Sequence, residues 1–261
     1  MKKIVLIIIA LVCTNKNYSQ DSIVNFLDKK GEIVEKQYAV EIETIVKKDT
    51  LWKVTKYYRT GKIKKQGHFK TKDKKMPVGE FVSFNRKGKV STILFYDLFG
   101  KKEGRKKVWF DTGKISSTGI YLKDMKEGVW KYYHYNGNKA CVQYFKNDSI
   151  IKTTIYNQDG DEIIGDFIEK RKAKFKGGIK KFNNKLKKLV NNLDYKIKGK
   201  VYVNFVINVD GKITDVEIDD TLPDKLNTQI VSFFEKIEGW QPAIHMNRKY
   251  PISFSIPLSF R

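Results

Sequence analysis

Cysteine is almost absent from this chain of 261 residues, and so are proline and histidine: two, five and three of them respectively. Each scarcity excludes something. Cys13 directly follows the N-terminal apolar run, so a processed chain keeps Cys141 alone. One thiol cannot close an internal disulfide, and the domains must be held by their cores. Five prolines exclude a stiff Pro-rich spacer. His68, His134 and His245 lie far apart without ligand spacing, which leaves no metal set and no histidine-based catalysis. Cys141 lies mid-strand, where a thiol is more often buried than nucleophilic. Asp159-Gly160-Asp161 and Asp219-Asp220 lack the twelve-residue calcium pattern. No glycine-rich phosphate loop leads from a strand into a helix. The expectation is a protein that is not an enzyme and needs no cofactor or metal. Acids are also few, 29 against 52 bases, giving a formal charge of +23. That surplus fits an anionic partner or a solvated lysine-rich surface. The lysines are spread through every segment, without a focused patch.

A long hydrophobic run is missing too. Lys2 and Lys3 precede nine apolar residues, Ile4 to Val12, whereas a membrane span needs about 20. The segment reads as a signal peptide over residues 1–19, cleaved after Ser19. Val12 before Cys13 is not the small residue that precedes a lipidated cysteine, which argues against a lipoprotein. Export implies the periplasm or cell envelope and removes nucleic acid from the candidate partners. Association with the membrane stays open.

What is present is enough for real cores: 41% hydrophobic and 13% aromatic residues. Glycines at 61, 88, 113, 137 and 160 follow an aromatic residue at intervals of 27, 25, 24 and 23. Gly79, Gly104 and Gly128 each precede one of them by nine residues, and Gly67 and Gly119 each follow one by six. Phase-locked glycines mark a repeat. Each unit reads as a β-hairpin: Gly128 to Tyr135, the turn Asn136-Gly137, and Asn138 to Phe145 returning. Asn-Gly suits a two-residue turn with positive φ at both positions. Asp28 to Gly31 and Tyr38 to Tyr58 supply a leading strand pair. The pattern predicts an elongated antiparallel sheet over residues 22–163. Its aromatic residues fall on both faces, which suits packing or an exposed binding surface. The pattern Tyr-x-x-Gly-Lys-Ile, Gly-x-Phe or Gly-x-Tyr, then Gly-x-Trp is similar to the MORN-repeat-variant family over about residues 57–160. Leu94 stands where the Gly88 unit should carry its second glycine. The resemblance implies a scaffolding or binding surface without a shared chemistry.

Residues 164–172, with Glu169-Lys170-Arg171-Lys172, read as a short linker. Beyond it, over 173–261, Ile179, Phe182, Leu186, Leu189, Val190 and Leu193 recur at helical spacing. Val201 to Ile207 and Ile213 to Ile218 flank the turn Asp210-Gly211. Leu226 to Ile237 is a second helix, Trp240 to Ala243 a corner. Ile252, Phe254, Ile256, Leu258 and Phe260 alternate with Ser253, Ser255 and Ser259 in a closing strand with one apolar face. The predicted class is α+β: a repeat sheet followed by two helices and a three-stranded antiparallel sheet.

Five motifs in this order, Ala-x-Phe-x-Gly-Gly at 173–178, Gly-Lys-Val-x-Val-x-Phe at 199–205, Asp-Gly-Lys-Ile at 210–213, Trp-x-Pro-Ala at 240–243 and Tyr-Pro-Ile-x-Phe-x-Ile-Pro-Leu-x-Phe at 250–260, resemble the TonB C-terminal domain. The resemblance implies capture of a short extended peptide, the TonB box of an outer-membrane transporter, by strand addition to the last strand. It assigns the contact to Tyr250, Ile252, Ser253, Phe254, Ser255 and Ile256. Gly177, Gly178, Gly211, Trp240 and Pro242 take structural roles. An energy transducer of that family also needs a membrane anchor with a residue for its motor and a Pro-rich spacer, and this sequence has neither. The expected function is therefore a TonB-like envelope protein that binds a transporter peptide in transmembrane transport. The alternative is an envelope scaffold whose repeat sheet binds protein or lipid.

Overall fold

The computed structural model describes residues 22–193, 198–219 and 222–260. The expected signal peptide and Cys13 lie outside the described residues. Twelve strands form one antiparallel sheet in strict chain order. They are β1 (Ser22–Leu27), β2 (Glu41–Lys48), β3 (Leu51–Tyr58), β4 (Ile63–Phe69), β5 (Pro77–Phe84), β6 (Val90–Tyr96), β7 (Lys102–Trp109), β8 (Ile115–Leu122), β9 (Met125–Tyr133), β10 (Lys139–Lys146), β11 (Ser149–Tyr156) and β12 (Glu162–Ile163). In such a meander alternate turns fall at opposite ends of the sheet. The turns at Gly61, Gly88, Gly113, Gly137 and Gly160 therefore stack along one end.

These turns differ from the sequence expectation. Asn136-Gly137 is not a two-residue turn: of the two, only Gly137 has positive φ, 101°. The Gly137 N–H donates to the His134 carbonyl, and the His134 N–H donates to the Asn138 carbonyl. This is a type I turn closed by a glycine bulge, and a register shift follows it in β10. The same two bonds recur around Gly61, Gly88, Gly113 and Gly160. Turns with positive φ at two successive residues, Lys123-Asp124 and Asn147-Asp148, lie at the opposite end. There aspartate supplies the left-handed conformation.

The other glycine phase has a different cause. Gly67 and Gly119 sit under rings of the neighbouring strand. An added Cβ would lie 2.4 Å from the Phe81 ring and 2.1 Å from the Trp130 indole. Phe81 and Trp130 each follow a repeat glycine by two, whereas Gly104 is followed at that spacing by Lys106. With no ring at that place, no glycine is needed, and Leu94 fills the position. Gly119→Ala should cost about 1–3 kcal/mol through overpacking. The cost should largely vanish in a Trp130→Ala background, as a double-mutant cycle of denaturant unfolding would read.

The C-terminal region holds α1 (Gly178–Asn192), α2 (Asp224–Glu235), and a three-stranded sheet. Between β12 and α1 lie β13 (Lys170–Arg171) and β14 (Lys174–Phe175). The sheet strands are β15 (Gly199–Ile207), β16 (Ile213–Ile218) and, after three short strands, β20 (Ile252–Phe260), in the order β16-β15-β20. Val203, Phe205, Ile207, Leu258 and Phe260 face the helices, where Phe182, Leu189, Leu226, Ile230 and Phe234 complete the core. The short strands are β17 (Trp240–Gln241), β18 (Ala243–His245) and β19 (Arg248–Tyr250). The corner strand β17 pairs with β14. Sequence reading did not find the β18–β19 hairpin. Its tip is Met246-Asn247, both at positive φ, a weaker turn signal than Asn-Gly. β13 pairs with β18, so the segment between 164 and 172 contains a strand of this small sheet.

Candidate functional site

The β18–β19 hairpin joins the two regions. Met246 packs with Trp130, Tyr132, Cys141, Phe145 and Ile155 of the repeat sheet. Arg248, 2% exposed, reaches the same sheet. Its guanidinium donates to the carbonyls of Ser116 and Tyr133 and to Ser116 Oγ at 3.1 Å. The rings of Phe110, Tyr132 and Tyr250 surround it at 5.4, 5.5 and 5.4 Å. Burial draws its pKa down to about 10, so it stays charged at neutral pH. Cys141 beside it is buried, which pushes its thiol up to about 11 and keeps it protonated.

A second contact is ionic. β16 carries Asp215 and Glu217, and Asp219 follows it. Arg86 pairs with Asp219 at 3.0 Å and Glu217 at 3.5 Å. Lys87 pairs with Asp215 at 2.6 Å. Arg86 and Lys87 lie in the Gly88 turn, so the turn end of the sheet faces the helix-free side of the three-stranded sheet. Between them runs a cleft of about 370 Å³. Its walls include Trp109 and Phe110 on one side and Asn204, Ser253 and Ser255 on the other.

β20 is the edge strand of its sheet, paired with β15 alone. The pairing runs through nine residues without a shift, Gly199 opposite Phe260 to Ile207 opposite Ile252. Pro257 stands opposite Tyr202 and has no N–H to donate. The Tyr202 carbonyl accepts from Asp219 N–H, away from β20. This pair is therefore a non-hydrogen-bonded one. By the two-residue period, the backbone groups of Ser253, Ser255, Pro257 and Ser259 point outward. The missing proline N–H thus falls on the free edge, where proline is tolerated. Outward donors remain at Ser253, Ser255 and Ser259. The Ser255 carbonyl accepts from Lys29 Nζ at 3.2 Å, and Lys29 also lies 4.3 Å from the Tyr202 ring centre. Burial lowers the Lys29 pKa, with Asp219 opposing.

The six contact residues singled out from the sequence divide into three sets, and the structural ones into two more. Ser253 and Ser255 are exposed and line the cleft. Ile252, Phe254 and Ile256 pack against the core, Phe254 stacked on Phe205 at 5.6 Å. Tyr250 ends β19 and meets Phe110 at 5.9 Å. Gly211, Trp240 and Pro242 converge: a Cβ on Gly211 would lie 2.2 Å from the Trp240 carbonyl oxygen and 3.8 Å from Pro242 Cδ. Gly177 and Gly178 have φ of 84° and 80° where the chain enters α1. Sequence reasoning missed Lys29, Asn204 and Arg248. A polar Asn204 amid apolar β15 residues was the only available signal, and nothing local marks the other two.

Among the described residues no group of three or more His, Cys, Asp or Glu side chains could hold a metal ion. No described helix is long and apolar enough to cross a membrane. No curated protein matches the chain. Residues 53–71 and 126–147 match the family model described as MORN repeat variant, and residues 193–261 match the model of the Gram-negative bacterial TonB protein C-terminal, the domain built around β20.

Proposed function

We propose that the protein is a TonB-like component of the cell envelope that captures the periplasmic peptide of an outer-membrane transporter by strand addition to β20. The supporting observation is the outer edge of β20, which no strand pairs, with outward donors at Ser253 and Ser255; its Ser255 carbonyl is held by Lys29 Nζ, which an incoming peptide would displace. An extended peptide would satisfy those groups while side-chain contacts choose its sequence. Titration of the isotope-labelled full chain with transporter N-terminal peptides should shift backbone resonances along 252–256. Ser255→Pro removes an outward donor and leaves the β15 pairing intact. It should weaken binding roughly tenfold, the worth of one hydrogen bond. An unshifted β20 with every such peptide would sink the proposal.

A second reading, an envelope scaffold whose repeat sheet binds protein or lipid, draws on one turn. Leu98 and Phe99 are 65% and 80% exposed between β6 and β7. That turn lies at the end of the sheet away from the cleft, beside Lys101 and Lys102. Co-sedimentation with vesicles containing anionic lipid, lost on Phe99→Asp, would favour this reading.

A further inference from the structure

Asn204 is 2% exposed, yet neither its amide oxygen nor its amide nitrogen has a hydrogen-bond partner. It lines the cleft between the three-stranded sheet and the repeat turns. Leaving both ends of a buried amide unpaired is costly, so the position calls for a complementary group. The cleft restricts what that group can be. Its charged walls are already engaged: Arg86 with Asp219 and Glu217, Lys87 with Asp215, Lys64 with Glu41, and Asp111 with the Tyr135 hydroxyl at 2.8 Å. Little net charge is left for a ligand, which favours a neutral one. An amide presenting donor and acceptor side by side is best matched by another carboxamide.

Register supplies the route. Glu217, Asn204 and Ser255 stand directly opposite one another across β16, β15 and β20, so their side chains share the helix-free face. A strand added outside β20, displacing Lys29 from the Ser255 carbonyl, would extend this row, and its residue opposite Ser255 would point over the same face. That residue would lie two strand spacings from Asn204, about 9.6 Å between backbones. A glutamine side chain reaching across the short Ser255 spans this gap, an asparagine is one methylene too short, and a larger residue at 255 would block it.

We propose that the cleft is the side-chain pocket of the captured peptide and selects a neutral carboxamide, glutamine, at the position opposite Ser255. This rests on the strand-addition reading. Single blocked residues test it separately, because they are too short to add a strand. The full-length labelled protein is titrated with N-acetyl-glutamine methylamide and with its glutamate and norleucine counterparts. The glutamine compound should shift the Asn204 side-chain amide signals and bind at least about fivefold tighter than the other two. Asn204→Leu should abolish that preference. If this variant misfolds, Ser255→Leu, on the exposed edge, should abolish it by filling the row. No shift at Asn204 with the glutamine compound, equal binding of the three, or a preference that survives both substitutions overturns the pocket. Shifts of β20 with a longer peptide would still report on strand addition.

Discussion

Arg248→Ala should destabilise the protein by about 3–5 kcal/mol, the range of a large buried side chain removed together with its hydrogen bonds. The substitution orphans the carbonyls of Ser116 and Tyr133, leaves Ser116 Oγ without its partner, and opens a cavity among Phe110, Tyr132 and Tyr250. Its effect extends beyond the hairpin. Arg248 and Met246 are the points at which the β18–β19 hairpin enters the repeat sheet, so loss of Arg248 should weaken the coupling of the two regions. Calorimetry should show one cooperative transition in the parent chain and two separated transitions in the variant. Arg248→Lys keeps the charge but offers its donors from a single nitrogen in place of the planar two-nitrogen fork that serves two carbonyls and a hydroxyl, so it should fall in between. An unaltered single transition in Arg248→Ala would refute the role assigned to this residue.

Gly211→Ala is expected to be comparably severe, for a backbone reason. Gly211 has φ of +86°, and the new Cβ would meet the Trp240 carbonyl oxygen at 2.2 Å. The left-handed conformation alone costs about 1–2 kcal/mol for a residue with a Cβ. A backbone oxygen cannot rotate away as a side chain can, so either the turn or β17 must move. Trp240 packs on Phe175, Phe182 and Phe254 at 5.2, 5.1 and 5.6 Å, and displacement would reach the core directly. A total loss above about 3 kcal/mol is expected. Gly88→Ala is the control: its φ is +81° with nothing within 4 Å of the added Cβ. The difference between the two variants in thermal unfolding isolates the clash, and equal losses would show that the contact with Trp240 is unimportant.

The candidate site joins features of unequal legibility. β20 announces itself by strict alternation, Ile252 to Phe260 against the serines, because a strand with one buried face must repeat every two residues. The repeat sheet is legible because its signals are local: a glycine at each bulge, an aromatic residue before it, and a fixed spacing between strands. Even there, local reasoning misplaced the turn type. Asn136-Gly137 belongs to a bulged type I turn, since the register of β9 and β10 sets the loop length, and the dipeptide is compatible with both.

The sequence by itself therefore determined the two architectures, their order, and the one-sided face of the closing strand, while the strand order β16-β15-β20 that leaves β20 at the edge is seen in the fold. Tertiary structure alone decided how they meet. Arg248 acts on carbonyls 115 and 132 residues away, and Lys29 bonds a carbonyl 226 residues away. No spacing rule connects residues so far apart in sequence. Asn204 shows the same limit within a single strand. It reads as one more polar alternate of β15, and its burial and unpaired amide arise only when the turns at Gly88 and Gly113 close over the helix-free face of the sheet.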